Sequence, residues 1–327
     1  MSGLKMGIFG YGNIAKTHIA ILSRFPDVAI VSVFSRSKKE LPGLKNTSFY
    51  TDYKEMIRKE KLDAVIIATP THTHKEIACY CAEQGLNIFL EKPMARTVDE
   101  CDAIIDIVKE NEIKLFVAHS NRFIPTYGSV KSYIDRKTSK VGEIQSIVSK
   151  RLGTFPWSEW FANQSQSGGV ILDLSIHDID YCSWLMGQID SVSCQASNIT
   201  KYNMKVFGES TTKLKSKKDK IAECEASWAK PPDFQFYTYT QIKGSAGSIE
   251  FDSNKIFNNE NYGIPNIYKT DNAYFNQLDH FFDVIKNKNK EFLVSVSEAK
   301  EAVKICLAAI KSAEMNGKRI NLDEFNE

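Results

Sequence analysis

Through the first 120 positions, short apolar runs alternate with segments of helical period. Lys5–Phe9, Ala29–Ser35, Ala64–Ala68, Leu86–Leu90 and Lys114–Ala118 are rich in Val, Ile, Leu and Phe, as expected of strands buried on both faces. Between them, Asn13–Arg24, Tyr53–Lys59, Thr73–Gln84 and Val98–Asn111 read as helices. Strands separated by helices predict a parallel sheet covered on both sides, and right-handed crossovers make it doubly wound.

The pattern changes after about Asn121. A helix (Thr126–Arg136) precedes a strand (Glu143–Leu152) and a helical segment (Gly169–Met186). Strands are then predicted at Ser191–Ile199, Ile221–Trp228, Phe234–Lys243 and Ser248–Phe251, several with period-two alternation that suits a sheet packed on one face. Glu209–Lys220 carries five lysines and is expected to be a mobile, solvated loop. Helices at Asn272–Lys286 and Ser297–Asn316 close the chain. The expected fold is therefore α/β: a doubly wound Rossmann domain over residues 1–121, then a second domain over 122–327. That second domain is α+β, built on an open, mostly antiparallel sheet, with its C-terminal helix a candidate to pack back on the first domain.

Composition narrows the function classes. The chain has 327 residues, 43 % hydrophobic and 25 % charged, ordinary globular usage. Lys plus Arg number 42 against 40 Asp plus Glu, a net charge of +2, which lacks the basic excess of a nucleic-acid binder. Seven cysteines at irregular spacing form neither a zinc pattern nor a disulfide framework, and no apolar run is long enough for a membrane span. A cytoplasmic location without nucleic-acid or membrane partners is expected.

The first strand runs into Gly10-Tyr11-Gly12-Asn13-Ile14-Ala15. A G-x-G-x-x-A run is informative only between a strand and a helix, which is where it falls. Gly10 permits the turn, Gly12 lets backbone approach a pyrophosphate, and Asn13 and Ile14 open a helix whose N–H groups face the phosphates. At the end of the second strand, where a carboxylate would hold the ribose hydroxyls of NAD, stands Ser35-Arg36-Ser37-Lys38-Lys39. A charge-assisted bond from Arg36 to a 2′-phosphate, worth about 1.5–3 kcal/mol, predicts NADP(H) as the preferred cofactor, with NAD(H) as the alternative. Thr69, Pro70 and His74 follow the third apolar strand and are expected to wall the cofactor. His72 and His74 alone do not suggest a metal.

Two further runs carry chemistry. Glu91-Lys92-Pro93 lies at the carboxyl end of a parallel strand, the edge where open α/β sheets bind ligands; Lys92 is either aimed into that cleft or a solvated charge. Asp173 and His177, four residues apart on a helix, project from one face. They suit general acid–base work, or else form an ordinary intrahelical hydrogen bond.

Together, the Gly10–Ala15 fingerprint, Glu91-Lys92-Pro93, Asn121-Arg122-Phe123 and the Gly168–His177 stretch resemble the Gfo/Idh/MocA family of oxidoreductases, in order along almost the whole chain. Val170 departs from a third glycine found in many members. The resemblance implies that Lys92, Asp173 and His177 are the catalytic group, that Lys92–Pro93 is cis, and that Asn121 lies near the nicotinamide with Glu91 and Lys92 beside the cofactor. Arg122 is implied near the nicotinamide too, with bracing of the domain junction as the alternative. Tyr274 matches a position near the substrate, and Trp157 and Trp160 are candidate aromatic walls for a sugar, or core residues. His18 and His280 read as ordinary helix residues. The activity implied is hydride transfer between NADP(H) and a sugar or polyol carbon by a homodimer or homotetramer. The alternatives are a non-catalytic dinucleotide-binding regulator and a reductase of a non-sugar carbonyl compound.

Overall fold

A computed structural model describes residues 3–37, 40–257, 262–287 and 290–326. The chain divides into two units, each drawn from more than one stretch. One comprises 1–95, 99–118 and 274–297, the other 96–98, 119–273 and 298–327.

The first unit holds β1 (Leu4–Phe9), α1 (Asn13–Leu22), β2 (Val28–Phe34), β3 (Ser48–Tyr50), α2 (Tyr53–Lys59), β4 (Ala64–Ile67), α3 (His74–Glu83), β5 (Asn87–Glu91), α4 (Val98–Glu110) and β6 (Leu115–Ala118). Its six parallel strands lie in the order β3-β2-β1-β4-β5-β6, the doubly wound arrangement with its switch point between β1 and β4. β4 and β6 are buried at every position, which is why their sequences are continuously apolar rather than alternating. The edge strand β3 is short and half-exposed, too weak a pattern to read in advance. Asp52 caps α2, its carboxylate accepting from the Lys54 and Glu55 N–H groups at 2.8 and 3.3 Å. The late segment 274–297 joins this core through aromatic rings: Phe281 meets Phe89 at 5.7 Å and Phe275 stacks on Phe25 at 4.7 Å.

The second unit holds α5 (Pro125–Ile134), β7 (Ile144–Leu152), α6 (Gln164–Ser167), α7 (Ile176–Met186), β8 (Ile189–Lys201), β9 (Met204–Ser216), β10 (Ile221–Ser227), β11 (Tyr237–Gly244) and β12 (Ser248–Phe251). α8 (Ala273–Lys286) belongs mainly to the first unit, and α9 (Val296–Glu314) and β13 (Ile320–Asn321) complete the second. The seven-stranded sheet runs β12-β11-β7-β10-β9-β8-β13. It is antiparallel except where β10 runs parallel to β7.

The expected lysine-rich loop at 209–220 is instead mostly strand. In β9, Ser210, Thr212, Leu214 and Ser216 are buried while Lys213 and Lys215 face outward. Lys213 reaches Glu223 on β10 at 3.4 Å. Only the turn at 217–220 is loop, with Asp219 at φ 58°. The lysines hid a period-two pattern because their charge occupies the outward positions. The strand predicted from Phe234 begins at Tyr237. Among the described residues, no helix is long and apolar enough to cross a membrane.

Candidate functional site

The carboxyl ends of β1, β2, β4 and β5 bring most of the expected cofactor residues to one sheet edge. Gly10 adopts φ +97°, and a Cβ there would fall 2.4 Å from the Ala68 carbonyl oxygen, so the β1 turn and the β4 turn approach as only glycine allows. A Cβ on Gly12 would meet nothing within 4 Å, leaving its backbone open to a ligand. Gly12 precedes α1 with extended backbone and no side-chain cap, so the first N–H groups of the helix are donors suited to phosphate. Ile14 is 40 % exposed at the same place. These residues fit a dinucleotide. At the end of β2, the Ser35 N–H donates to the Tyr50 carbonyl at 3.1 Å and Arg36 is exposed. Lys38 and Lys39 lie outside the described residues.

Beside β5, Lys92–Pro93 is cis and Lys92 is half-buried. Two histidines hold its neighbours. His18 is fully buried and donates from Nε2 to Glu91 Oε1 at 2.7 Å. Its ring packs edge-on against Phe89 at 4.9 Å and Tyr274 at 5.5 Å. His74 lies between the carbonyl oxygens of Pro93 and Thr69, each 2.9 Å from a ring nitrogen. Burial pushes its ionisation below the ordinary histidine value, against the pull of those two carbonyls. A neutral ring carries one N–H, so it donates to one carbonyl at a time. His74 thus sits between the β4 turn and the turn that carries Lys92, hydrogen-bonded to one of them at a time.

In the second unit, Gly168 and Gly169 adopt φ +75° and +64°, and a Cβ on either would approach Leu172 or the Phe207 carbonyl oxygen at under 3 Å. They open a helical segment whose turn over Ile171–Ser175 is π-type before α7 begins. π-turns concentrate at functional sites because they break the regular hydrogen-bond register. Within 171–180, Asp173 and His177 are half-exposed and every other residue is buried. The adjacent 3₁₀ turn Ser120–Phe123 touches His177 twice: the Asn121 side-chain amide donates to its carbonyl at 2.9 Å, and Ser120 Oγ lies 3.4 Å from Nδ1.

Comparison with known proteins assigns both parts of the chain to one family. Residues 4–119 match a family model described as "Oxidoreductase family, NAD-binding Rossmann fold", and residues 129–250 match the "GFO/IDH/MocA C-terminal domain". The chain belongs to the Gfo/Idh/MocA oxidoreductase family. A relative named myo-inositol 2-dehydrogenase, from Thermotoga maritima, is 27 % identical over 191 residues, 57 % of this chain and 55 % of that protein. The chain therefore spans about half of that relative's length. The scyllo-inositol 2-dehydrogenase (NAD(+)) of Bacillus subtilis is 27 % identical over 342 residues, covering 98 % of this chain and 96 % of that one. Among solved structures, levoglucosan dehydrogenase in complex with NADH and levoglucosan superposes with a TM-score of 0.84. It is 22 % identical and covers 98 % of this chain and all of that one; at that identity the likeness is one of fold.

Within this Gfo/Idh/MocA chain, the remaining expected residues have other neighbours. Arg122 is buried, pairs with Asp180 through two hydrogen bonds of 3.0 and 2.7 Å, and reaches Glu298 at 2.8 Å. All three residues belong to the second unit. Tyr274 packs on His18, and burial, reinforced by Glu91, raises its hydroxyl to about 12. Trp160 lies on Phe161 at 3.9 Å, while Trp157 is 81 % exposed and its carbonyl accepts from Tyr202 at 3.3 Å. Among the described residues, no group of three His, Cys, Asp or Glu stands where a metal ion would be held.

Sequence reasoning gave His18 no special role and did not single out Arg151 or Asp178. The one available signal was the parity of Arg151 with Ile147 on β7, which puts a charge on the strand's inward face.

Proposed function

We propose that this chain catalyses hydride transfer between NADP(H) and a carbinol or carbonyl carbon of a sugar or polyol. The observation that carries the reading is the presentation of Asp173 and His177 as the half-exposed positions of an otherwise buried helical stretch. Membership of the family and relatives named inositol dehydrogenases support the substrate class.

Gly10, Gly12 and the α1 N–H groups, with Thr69, Pro70 and Glu91, would hold a nicotinamide dinucleotide, which when bound would supply the hydride acceptor or donor. His177 takes the carbinol proton at a ring nitrogen during oxidation and returns it during reduction. Lys92 donates an N–H to the reacting oxygen and stabilises the negative charge that develops there. Asp173 accepts from substrate hydroxyls and orients them. Arg36 and Ser35 favour a 2′-phosphate, because no carboxylate stands at the end of β2 to repel it.

A cofactor-reduction screen over polyols and sugars, with both nicotinamide cofactors, tests the proposal. Lys92→Met should abolish turnover while NADPH binding, followed by fluorescence, stays within a few-fold. Near-normal turnover in that variant would reject the role of Lys92.

A further inference from the structure

We infer that Arg151 is a positioning residue for His177, acting through Asn121 and Asp178. The inference rests on the reading of His177 as the group that moves the proton. Arg151 projects from the inward face of β7 and is buried. Its Nε donates to Asp178 Oδ2 at 2.8 Å, and one terminal nitrogen donates both to Asp178 Oδ1 at 3.1 Å and to Asn121 Oδ1 at 3.0 Å. The Asn121 amide then donates to the His177 carbonyl at 2.9 Å. Ser149, also on β7, donates to Asp178 Oδ1 at 2.9 Å. One guanidinium thus grips the residue after His177 directly and His177's own carbonyl through Asn121.

Such a grip has a reason at this place. An internal ion pair seldom stabilises a fold more than well-packed apolar side chains do, so a buried Arg–Asp pair needs another account. His177 lies one residue beyond the end of a π-turn, separated from it by Ile176, where helical pitch alone fixes side-chain direction less firmly than in a regular helix. A rigid guanidinium fork meets two acceptors at set angles, which a lysine ammonium does not reproduce. The ring of hydrogen bonds joins β7, the turn at Ser120–Phe123 and α7 around the backbone of His177, and so fixes where its imidazole points.

Two variants test this. Arg151→Lys keeps the charge and loses the fork. Asn121→Asp keeps an acceptor for Arg151 and loses the N–H given to the His177 carbonyl. The first readout is the imidazole ¹H–¹³C spectrum of the full protein, labelled at its six histidines, with the His177 signal identified by its loss in His177→Asn. The second is steady-state kinetics with the substrate found by the screen. We expect the His177 signal to shift or split in both variants and kcat to fall about 10- to 100-fold, the scale of a misplaced catalytic group. In Arg151→Lys, KM for NADPH should stay within threefold. An unmoved His177 signal with kcat within twofold of the parent would overturn the inference. If Arg151→Lys does not fold, Asn121→Asp decides alone. Full turnover in His177→Asn would instead remove the functional reading, and the spectra would still decide whether Arg151 positions the ring.

Discussion

His18 and Glu91 join the first helix of the dinucleotide unit to the strand end that precedes Lys92, with ring nitrogen and carboxylate oxygen 2.7 Å apart. The histidine is fully buried, and among the described residues its Nδ1 has no hydrogen-bond partner. Losing Glu91 would therefore leave the other ring nitrogen unsatisfied as well. Glu91→Ala should cost about 1–3 kcal/mol of stability, whereas Glu91→Gln, which keeps an acceptor, should cost less. Urea unfolding of the three proteins gives the comparison, and equal midpoints would show that the pair contributes nothing.

The pairing of Arg122 with Asp180 leads to a larger effect. Both side chains are almost fully inaccessible. Burial pushes the Asp180 carboxyl up, but the charges of His119 and Arg122 leave it below its ordinary value. Arg122→Met removes one partner and strands a carboxylate, an expected loss of about 3–5 kcal/mol. A thermal melt within two or three degrees of the parent would contradict it.

Arg36 is the test of the proposed preference for NADP(H). Arg36→Ala should lower the ratio of kcat/KM for NADP(H) over NAD(H) by about tenfold to a hundredfold, the worth of one charge-assisted bond to a phosphate. An unchanged ratio would place the discrimination elsewhere.

Stability should fall on acidification. His74 is held neutral by burial, and burial lowers His280 as well. On unfolding, both rings regain an ordinary affinity for protons near pH 6.5. Below that pH the unfolded chain binds more protons than the native one, so stability declines as pH drops, by at most about 1.4 kcal/mol per pH unit for each ring. The contribution is fully present above the unfolded value. In His74→Gln the decline between pH 7 and pH 5, followed by chemical denaturation, should be shallower.

Much of the first unit was legible because its strands are buried on both sides, so runs such as Ala64–Ile67 contain little but apolar residues. For Asp173 and His177, spacing left acid–base work and an ordinary intrahelical hydrogen bond both open, and only the family resemblance singled them out. The π-turn was not, since a shift in hydrogen-bond register leaves no mark in the order of apolar side chains. β9 escaped notice because Lys213 and Lys215 sit on its outward face. His18 read as an ordinary helix residue, because neither its burial nor its partner 73 positions away can be inferred from neighbours in sequence. Arg151 was hidden by a general expectation that charges face water.

The dinucleotide-binding unit is not one continuous stretch of chain, and this bears on engineering. Phe281 and Phe275, which complete its aromatic core against Phe89 and Phe25, come from the far end of the sequence. A chimaera that borrows the nucleotide-binding half and cuts after the sixth strand would lose Phe275 and Phe281 and leave Phe25 and Phe89 without those partners. The graft must therefore bring residues 274–297 along with the amino-terminal piece.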